Sequence, residues 1–528
     1  LASLHLRRIV PVYPETAGLS SKWLRSKIYT LLHSDGFASL LTAFGQETTP
    51  GTKLALQNIH FPENLNQVEP ARHRLAFDEL LLLQLAASLH KQQWATTTLA
   101  HPFAVDQAKV LQFLARLPFT LTSSQNSAIK DILTDLAQTH PMNRLLEGDV
   151  GSGKTIVAAV AAYVAHLNGY QSLLLAPTQI LAAQHYQTLS TLFTPFGIEI
   201  GLITANSKLE IRNSKFDIAV GTHALLTAKL PMDRVGLVVI DEQHRFGVAQ
   251  RALASTLGKS PHTLTMTATP IPRTIALTMY GDLDLSTLTD MPAGRIPVKT
   301  WAVGEAKRAA ADEWIRSQIA TQAAQVFVVC PFIEESETLT TVKAATAEFT
   351  KLTRIFAGHK LGLLHGKLKA AQKDEVIAKF RAGEYRILVT TPVVEVGLDI
   401  PSATIMVVEG ADRFGLAQLH QLRGRVGRGG QPAYCLLLAN QITPRLLAMQ
   451  THHTGIELAE IDLRLRGAGE IYGTAQHGQP HFKVATYADL DLMTRTKAAA
   501  VALLPRLAKL PVLRSLVEKD KIGIVQPN

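Results

Sequence analysis

The sequence predicts an α/β protein of two tandem lobes, each built on a parallel sheet, with one helical segment before them and another after. Three observations carry this. Between residues 119 and 292, short Val/Ile/Leu runs alternate with helical segments, the texture of strands buried on both faces. A Pro/Gly-rich break, Met291-Pro-Ala-Gly-Arg-Ile-Pro297, reads as a linker, and the same texture restarts beyond it. The length of 528 residues exceeds what one ordinary core serves and fits several cores packed together.

Taken in order, residues 1–118 carry helical patterns. Ser20 can cap a helix that places Leu24, Ile28, Leu31 and Leu32 on one face, and a second helix runs from Val68 to Trp94. In residues 119–292 the strand-like runs are Leu145-Leu146, Ser172 to Ala176, Asp217 to Val220, Val235 to Ile240 and Thr263 to Met266. In residues 293–454 they are Gln325 to Cys330, Leu361 to Leu364, Arg386 to Thr390, Thr404 to Val408 and Ala433 to Leu438. Residues 455–528 hold a charged, glycine-rich stretch and then a helical tail.

Hydrophobic residues make up 47% and charged residues 18%, a balance that excludes a disordered chain. The net charge of +10 suits a polyanionic partner. The two cysteines, Cys330 and Cys435, each sit in an apolar strand-like run, which reads as two reduced core thiols of a cytoplasmic protein and implies no disulfide framework or zinc site. The longest apolar runs, such as Leu80 to Leu89 interrupted by Gln84, fall short of the ~18 residues of a membrane span. A start at Leu1, with no basic-then-apolar leader, implies that the protein's own N-terminus lies upstream.

Gly148-Asp-Val-Gly-Ser-Gly-Lys-Thr155 lies between a strand and the apolar helix Ile156 to Leu167, the context in which backbone N–H groups and a helix N-terminus hold phosphates. Gly148, Gly151, Ser152 and Gly153 form the cradle, Lys154 reaches the β- and γ-phosphates of ATP, and Thr155 reaches a magnesium ion. Val235 to Ile240 ends on Asp241-Glu242, and carboxylates at the end of a parallel strand lie beside such a loop. There Asp241 can hold Mg2+ and Glu242 can activate water. Gln125, just before the first helix of this lobe, can pair with both edge groups of adenine, with Phe119 packed beside the base. The same residues also read as an ordinary helix cap. In the second lobe, Gln418 to Arg428 interleaves arginines with glycines, which suits guanidinium groups brought close to a triphosphate, and Arg425 and Arg428 are the finger candidates.

Together with Pro177-Thr178, Gly221-Thr222-His223, Thr267-Ala-Thr-Pro270 and Glu395-Val-Gly-Leu-Asp399, these motifs resemble superfamily 2 helicases. The resemblance implies RecA-like lobes in which Thr178 and Thr222 contact the nucleic-acid backbone. It also implies that Thr267 and Thr269 link ATP state to that grip, and that Gly397 and Asp399 face nucleotide or strand.

Within the superfamily the chain most closely resembles the RecG family, through Asp241-Glu-Gln-His-Arg-Phe-Gly-Val248, Thr267 to Thr274, the Asp282 to Pro297 stretch and Arg413-Phe-Gly-Leu-Ala-Gln418. Pro11-Val-Tyr-Pro14 and Ala71 to Ala76 resemble the segment before the motor there. Asp462 to Gly478 resembles the segment that couples hydrolysis to movement, with Arg464, Arg466 and Gln476 in a hydrogen-bonded network; Ala468 and Ala475 depart from the usual proline and arginine.

The resemblance implies an ATP-dependent double-stranded DNA translocase and helicase that remodels branched DNA in repair and recombination. It also implies an N-terminal wedge domain with an OB fold, of which Leu1 to Val10 leave room for only the final strand. Competing readings are a transcription-repair coupling translocase, which shares the coupling motifs, and a non-catalytic nucleic-acid-binding scaffold.

Overall fold

The computed structural model describes residues 8–34, 37, 50–97, 100–204, 216–227, 234–242, 260–269, 283–292, 294–331, 338–392, 400–466, 482–486 and 488–519. Two compact units result: Leu1–Thr97 with Arg273–Leu283 and Arg466–Pro527, and Thr98–Pro272 with Asp284–Leu465. The N-terminal segment is helical as its patterns predict, with α1 (Ser21–Leu32), α2 (Pro50–His60) and α3 (Val68–Thr97). Ser20 caps α1, its hydroxyl accepting from Trp23 N–H at 3.3 Å.

The second unit contains both lobes. The first opens with α4 (Gln107–Ala115) and α5 (Ser123–Leu136) and continues through β1 (Asn143–Gly148), α6 (Lys154–Leu167), β2 (Gln171–Leu175) and α7 (Gln179–Phe193). It closes with β3 (Ile200–Ile203), β4 (Ile218–Gly221), β5 (Val235–Asp241), β6 (His262–Thr267) and β7 (Asp284–Leu288). The strands form one sheet in the order β3-β4-β2-β5-β6-β1-β7, parallel throughout.

Alternate residues of each strand feed two different cores. Leu174, Val239 and Met266 face the helical layer of α4 to α7, while Leu173, Leu175, Val238 and Ile240 join Ile203 and Phe216 on the other face. Both faces must therefore be apolar, which is why the strands read as unbroken hydrophobic runs rather than alternating ones. In the helical layer, α6 is buried continuously from Ile156 to Ala165, as an all-apolar helix must be.

Two strands of this lobe escape the sequence pattern. β3 is short, with glycine at its second position, and β7 (Asp-Leu-Ser-Thr-Leu) lies just before the Pro/Gly-rich linker, inside the Asp282 to Pro297 stretch, whose sequence signal is the family resemblance alone. β7 holds the sheet edge because its buried Ser286 is satisfied: Arg144 of β1 donates to the Ser286 hydroxyl at 2.8 Å, and that hydroxyl donates to Asp131 of α5 at 2.8 Å.

The second lobe runs through β8 (Lys299–Gly304), α8 (Arg308–Gln322), β9 (Gln325–Val329), α9 (Thr338–Ile355), β10 (Leu361–Leu364), α10 (Ala370–Arg381), β11 (Ile387–Thr390) and β12 (Ala403–Val408). It ends with α11 (Leu416–Arg423), β13 (Tyr434–Ala439), α12 (Pro444–Thr451) and α13 (Gly455–Arg466). Its sheet is again parallel, in the order β10-β11-β9-β12-β13-β8. Cys330 and Cys435 are buried in opposite cores of this lobe, and burial pushes both thiols up to about 12. Among the described residues, no helix is long and apolar enough to cross a membrane.

In the first unit, α14 (Leu490–Leu503) and α15 (Pro511–Lys519) pack on α3 through Leu85, Ala86, Ala500 and Val517. Two charged clasps on α3 fix the chain just before α14. Arg72 grips Asp489 through two bonds of 2.9 and 2.7 Å, and the Glu79 carboxylate accepts the N–H groups of Lys483, Val484 and Ala485 at 2.6, 2.9 and 2.8 Å. Glu79→Ala is expected to raise hydrogen exchange of those three amides about 30-fold, the equivalent of roughly 2 kcal/mol of lost charge-assisted bonding. Unchanged exchange would show that the segment is held by its side chains instead.

Candidate functional site

β1 delivers Gly148 at its carboxyl end, and the chain loops through Asp149 to Gly153 before α6 begins at Lys154. Gly151 and Gly153 take φ of +82° and +89°, a region glycine enters freely. A Cβ at Gly153 would collide with the Gln125 amide. No side chain caps α6, so its first N–H groups and its dipole are left for an anion. The Lys154 ammonium donates to the carbonyls of Gly148 at 2.6 Å and Asp149 at 3.1 Å.

Gln125 does both things its sequence position allows for a cap. Its carbonyl oxygen accepts Thr122 N–H at 2.9 Å, completing a capping box on α5, and its Nε2 donates to Ser152 O at 2.8 Å. Both ends of the amide thus hold backbone, one of them the phosphate loop itself. Phe119 is half exposed and lines a separate hollow with Leu111 and Leu117.

β5 ends beside β6, which lies between it and β1, and so brings Asp241 and Glu242 to the loop. One Asp241 oxygen lies 2.8 Å from His185 Nε2 on α7, and the other accepts Glu242 N–H at 3.1 Å. Burial works against the charged Asp241, yet the His185 hydrogen bond and the nearby Lys154 hold its carboxyl below the usual range. Burial and the Asp241 charge push Glu242 the other way, up. Neighbouring carboxylates driven apart in this way divide the roles of fixed charge and proton acceptor.

Glu242 also carries a φ of +52°, a strained value for a non-glycine that costs roughly 1–3 kcal/mol and is found at functional sites. Behind it, Ala268 N–H points at its Oε2 from 3.5 Å, and the hydroxyls of Thr267 and Thr269 bond at 2.6 Å.

A cleft of about 720 Å³ collects these groups with others from the second lobe. Lys154, Thr155, Asp241 and Glu242 line one side, and Gln421, Arg425 and Arg428 the other. Within the arginine-rich segment Arg423 is used differently, being buried and donating to the carbonyls of Met449, His452 and His453. Among the described residues, the buried Ser152 Oγ and Gln421 Nε2 have no hydrogen-bond partner, as expected of groups shaped for a polar ligand.

Thr178 caps α7, accepting Leu181 N–H at 3.3 Å, and Thr222 is buried. Arg464 is exposed on α13, and Arg466 ends that helix. Gly397, Asp399 and Gln476 lie outside the described residues, as do positions 243–248, 270–274, 282, 293, 395–399 and 467–478 of the quoted motifs.

The chain matches the DEAD/DEAH box helicase model over residues 122–278 and the helicase conserved C-terminal domain model over residues 307–430. It is 41% identical to the ATP-dependent DNA helicase RecG of Streptococcus pneumoniae, over 90% of this chain and 73% of that protein. The chain belongs to the RecG family. The RecG proteins of Synechocystis sp. and Thermotoga maritima are 43% and 42% identical over 94% and 93% of the chain, which spans 62% and 65% of their lengths. A solved structure of RecG bound to a three-way DNA junction aligns with 94% of the chain and 66% of that RecG, at a TM-score of 0.71 and 38% identity.

Sequence reasoning passed over three members of this RecG site. His185 falls on the buried stripe of α7 with Ala182, Leu189 and Phe193, so a histidine in an apolar stripe was its signal. Arg295, the one charge in the Pro/Gly-rich linker, donates to Val150 O at 2.5 Å and Gly424 O at 3.3 Å, joining the phosphate loop to the arginine segment. Gln421 stands among the quoted motif residues with nothing local to mark it.

Gln125→Glu should keep the capping box, because glutamate serves equally at that position, while setting a carboxylate oxygen against the Ser152 carbonyl. A loss of about 1–3 kcal/mol is expected, read as a lower urea midpoint. An unchanged midpoint would mean that the contact to Ser152 carries no weight.

Proposed function

We propose that the chain is an ATP-driven DNA motor, a translocase and helicase for double-stranded and branched DNA such as stalled replication forks and recombination junctions, acting in the cytoplasm in repair and recombination. The observation that carries this reading is the single cleft that joins Lys154, Asp241 and Glu242 of one lobe to Gln421, Arg425 and Arg428 of the other. The names of the RecG relatives, and the junction-bound RecG structure, support the substrate class. The buried, reduced cysteines agree with the compartment.

In this reading the triphosphate takes the loop from Gly148 to Thr155 and the open N-terminus of α6. Lys154 leaves the loop carbonyls for the β- and γ-phosphates. Gln125 holds the loop from behind, and Phe119 offers its ring to the base. Thr155 and Asp241 are hard oxygen donors on one cleft and would hold a magnesium ion, which when bound neutralises phosphate charge. Glu242, its proton affinity raised, orients the attacking water and accepts its proton. Arg425 and Arg428 add charge from the second lobe, so turnover depends on how the lobes meet.

Thr178 and Thr222 grip the DNA backbone, Thr267 and Thr269 tie that grip to Glu242, and Arg464, Arg466 and Gln476 convert closure into movement. The expected domain boundaries near residues 118, 292 and 454 go with this scheme, except that α4 packs into the first lobe's core and α13 into the second's.

Glu242→Gln keeps the side chain's shape and should retain ATP binding while turnover falls by orders of magnitude; near-normal ATPase activity, measured with and without DNA, would sink the assignment. Arg425→Ala and Arg428→Ala should each lower turnover about 10³-fold with little change in ATP affinity. A variant that lost only DNA binding would assign that arginine to the DNA backbone.

A further inference from the structure

Asp149 is the one acidic side chain inside the phosphate loop, and its carboxylate turns to the second lobe. One oxygen lies 3.0 Å from His420 Nε2 on α11. Both oxygens accept the N–H of Gly455, the first residue of α13, at 3.2 and 3.1 Å. Thr454 caps the same helix from within, its hydroxyl accepting Glu457 N–H at 3.4 Å. Capping at this helix start is thus shared between its own threonine and a carboxylate from the opposite lobe.

The histidine in this joint has a fixed tautomer. Arg423 donates to His420 Nδ1 at 2.9 Å, and a guanidinium has nothing to accept with, so Nδ1 is the acceptor and the ring proton sits on Nε2, aimed at Asp149. Arg423 also grips the carbonyls of Met449, His452 and His453, which fixes the turn leading into α13. Arg423 thus donates to His420 and His420 to Asp149, while Gly455 N–H donates to the same carboxylate from the other side, so Asp149 is the common acceptor that links the second lobe's histidine to the start of the helix that carries Arg464 and Arg466.

We propose that Asp149 is a capping carboxylate lent across the lobe interface to α13, and that a nucleotide's phosphates loosen this hold, so that α13 reads the state of the phosphate loop directly. The proposal rests on the ATP-driven reading above. Its physical basis is local: Lys154 donates to the carbonyl of Asp149 itself, so moving that ammonium to a triphosphate releases the loop at this residue. At the same time the triphosphate sets several negative charges beside a carboxylate that already occupies an anion-friendly helix start. Asp149 and His420 act as positioning residues, since neither has to touch the reacting atoms.

Hydrogen exchange on the full chain, with and without ATPγS, tests this at the amides of residues 455–458. In the unaltered protein ATPγS should lower their protection about tenfold, within the usual range of such couplings. His420→Ala should show the lowered protection without nucleotide, and His420→Gln, whose amide can still donate to Asp149, should restore the response. Because coupling is reciprocal, His420→Ala should bind ATPγS tighter by the same factor of about ten, whereas a merely structural lesion would weaken binding. Should His420→Ala not fold, Asp149→Asn keeps the shape, removes the charge and should abolish the response. Protection that stays constant or rises with ATPγS, or a His420→Ala protein that binds it no tighter, overturns the proposal alone. A chain that binds no ATPγS overturns the motor reading as well.

Discussion

Lys154 sets a partly buried ammonium group in the cleft, and much of the second unit is arranged around that cation. Burial pulls its pKa below the ordinary lysine value, and the carboxylates of Glu242, Asp241 and Asp149 oppose the pull. Each of those carboxylates needs its own support: His185 for Asp241, Ala268 N–H for Glu242, His420 and Gly455 N–H for Asp149. A single charge thereby dictates polar groups on α7, on the turn after β6, on α11 and at the start of α13. Removing any one partner would leave a buried charge poorly matched, so these contacts stand or fall together more than their separate distances suggest.

The two lobes solve the same packing problem with the same device and differ in what they place at the strand ends. In both, parallel strands divide their side chains between two helical or loop layers, so the sheet edges and carboxyl ends are the only places left for chemistry. The first lobe puts carboxylates and the phosphate loop there; the second puts Gln421, Arg425 and Arg428. Gly424 sits where they meet, and a Cβ there would lie 2.9 Å from the Cβ of Val150, so this glycine allows the phosphate loop its close approach.

What the sequence made legible follows from the range of the interactions involved. β5 with its terminal Asp241, and the loop Gly148 to Thr155 between β1 and α6, are written in consecutive residues and could be read directly. That Cys330 and Cys435 belong to apolar cores was likewise visible in their neighbours. β7 was not, because Asp-Leu-Ser-Thr-Leu becomes a strand only when Arg144 and Asp131 satisfy Ser286 from distant positions. His185 with Asp241, Arg295 with Val150 and Asp149 with His420 are likewise pairings across the chain, and no local pattern announces them. Gln125 shows the intermediate case, where cap and site were both readable and one amide serves the helix and the phosphate loop together.

The strand order of the first lobe also has a consequence in time. β1, which carries the phosphate loop, pairs only with β6 and β7 within its sheet, and both are made after β2, β3, β4 and β5. As the chain leaves the ribosome at about 5–20 residues per second, β1 waits on the order of ten seconds between the appearance of Gly148 and that of His262. Through that interval the apolar face of α6 and both edges of β1 have no finished sheet to join, while β2 and β5 can already associate. The loop from Gly148 to Thr155 is thus among the first parts of the lobe to be synthesised and among the last to be given its place, which makes newborn chains dependent on protection from premature contacts at that strand.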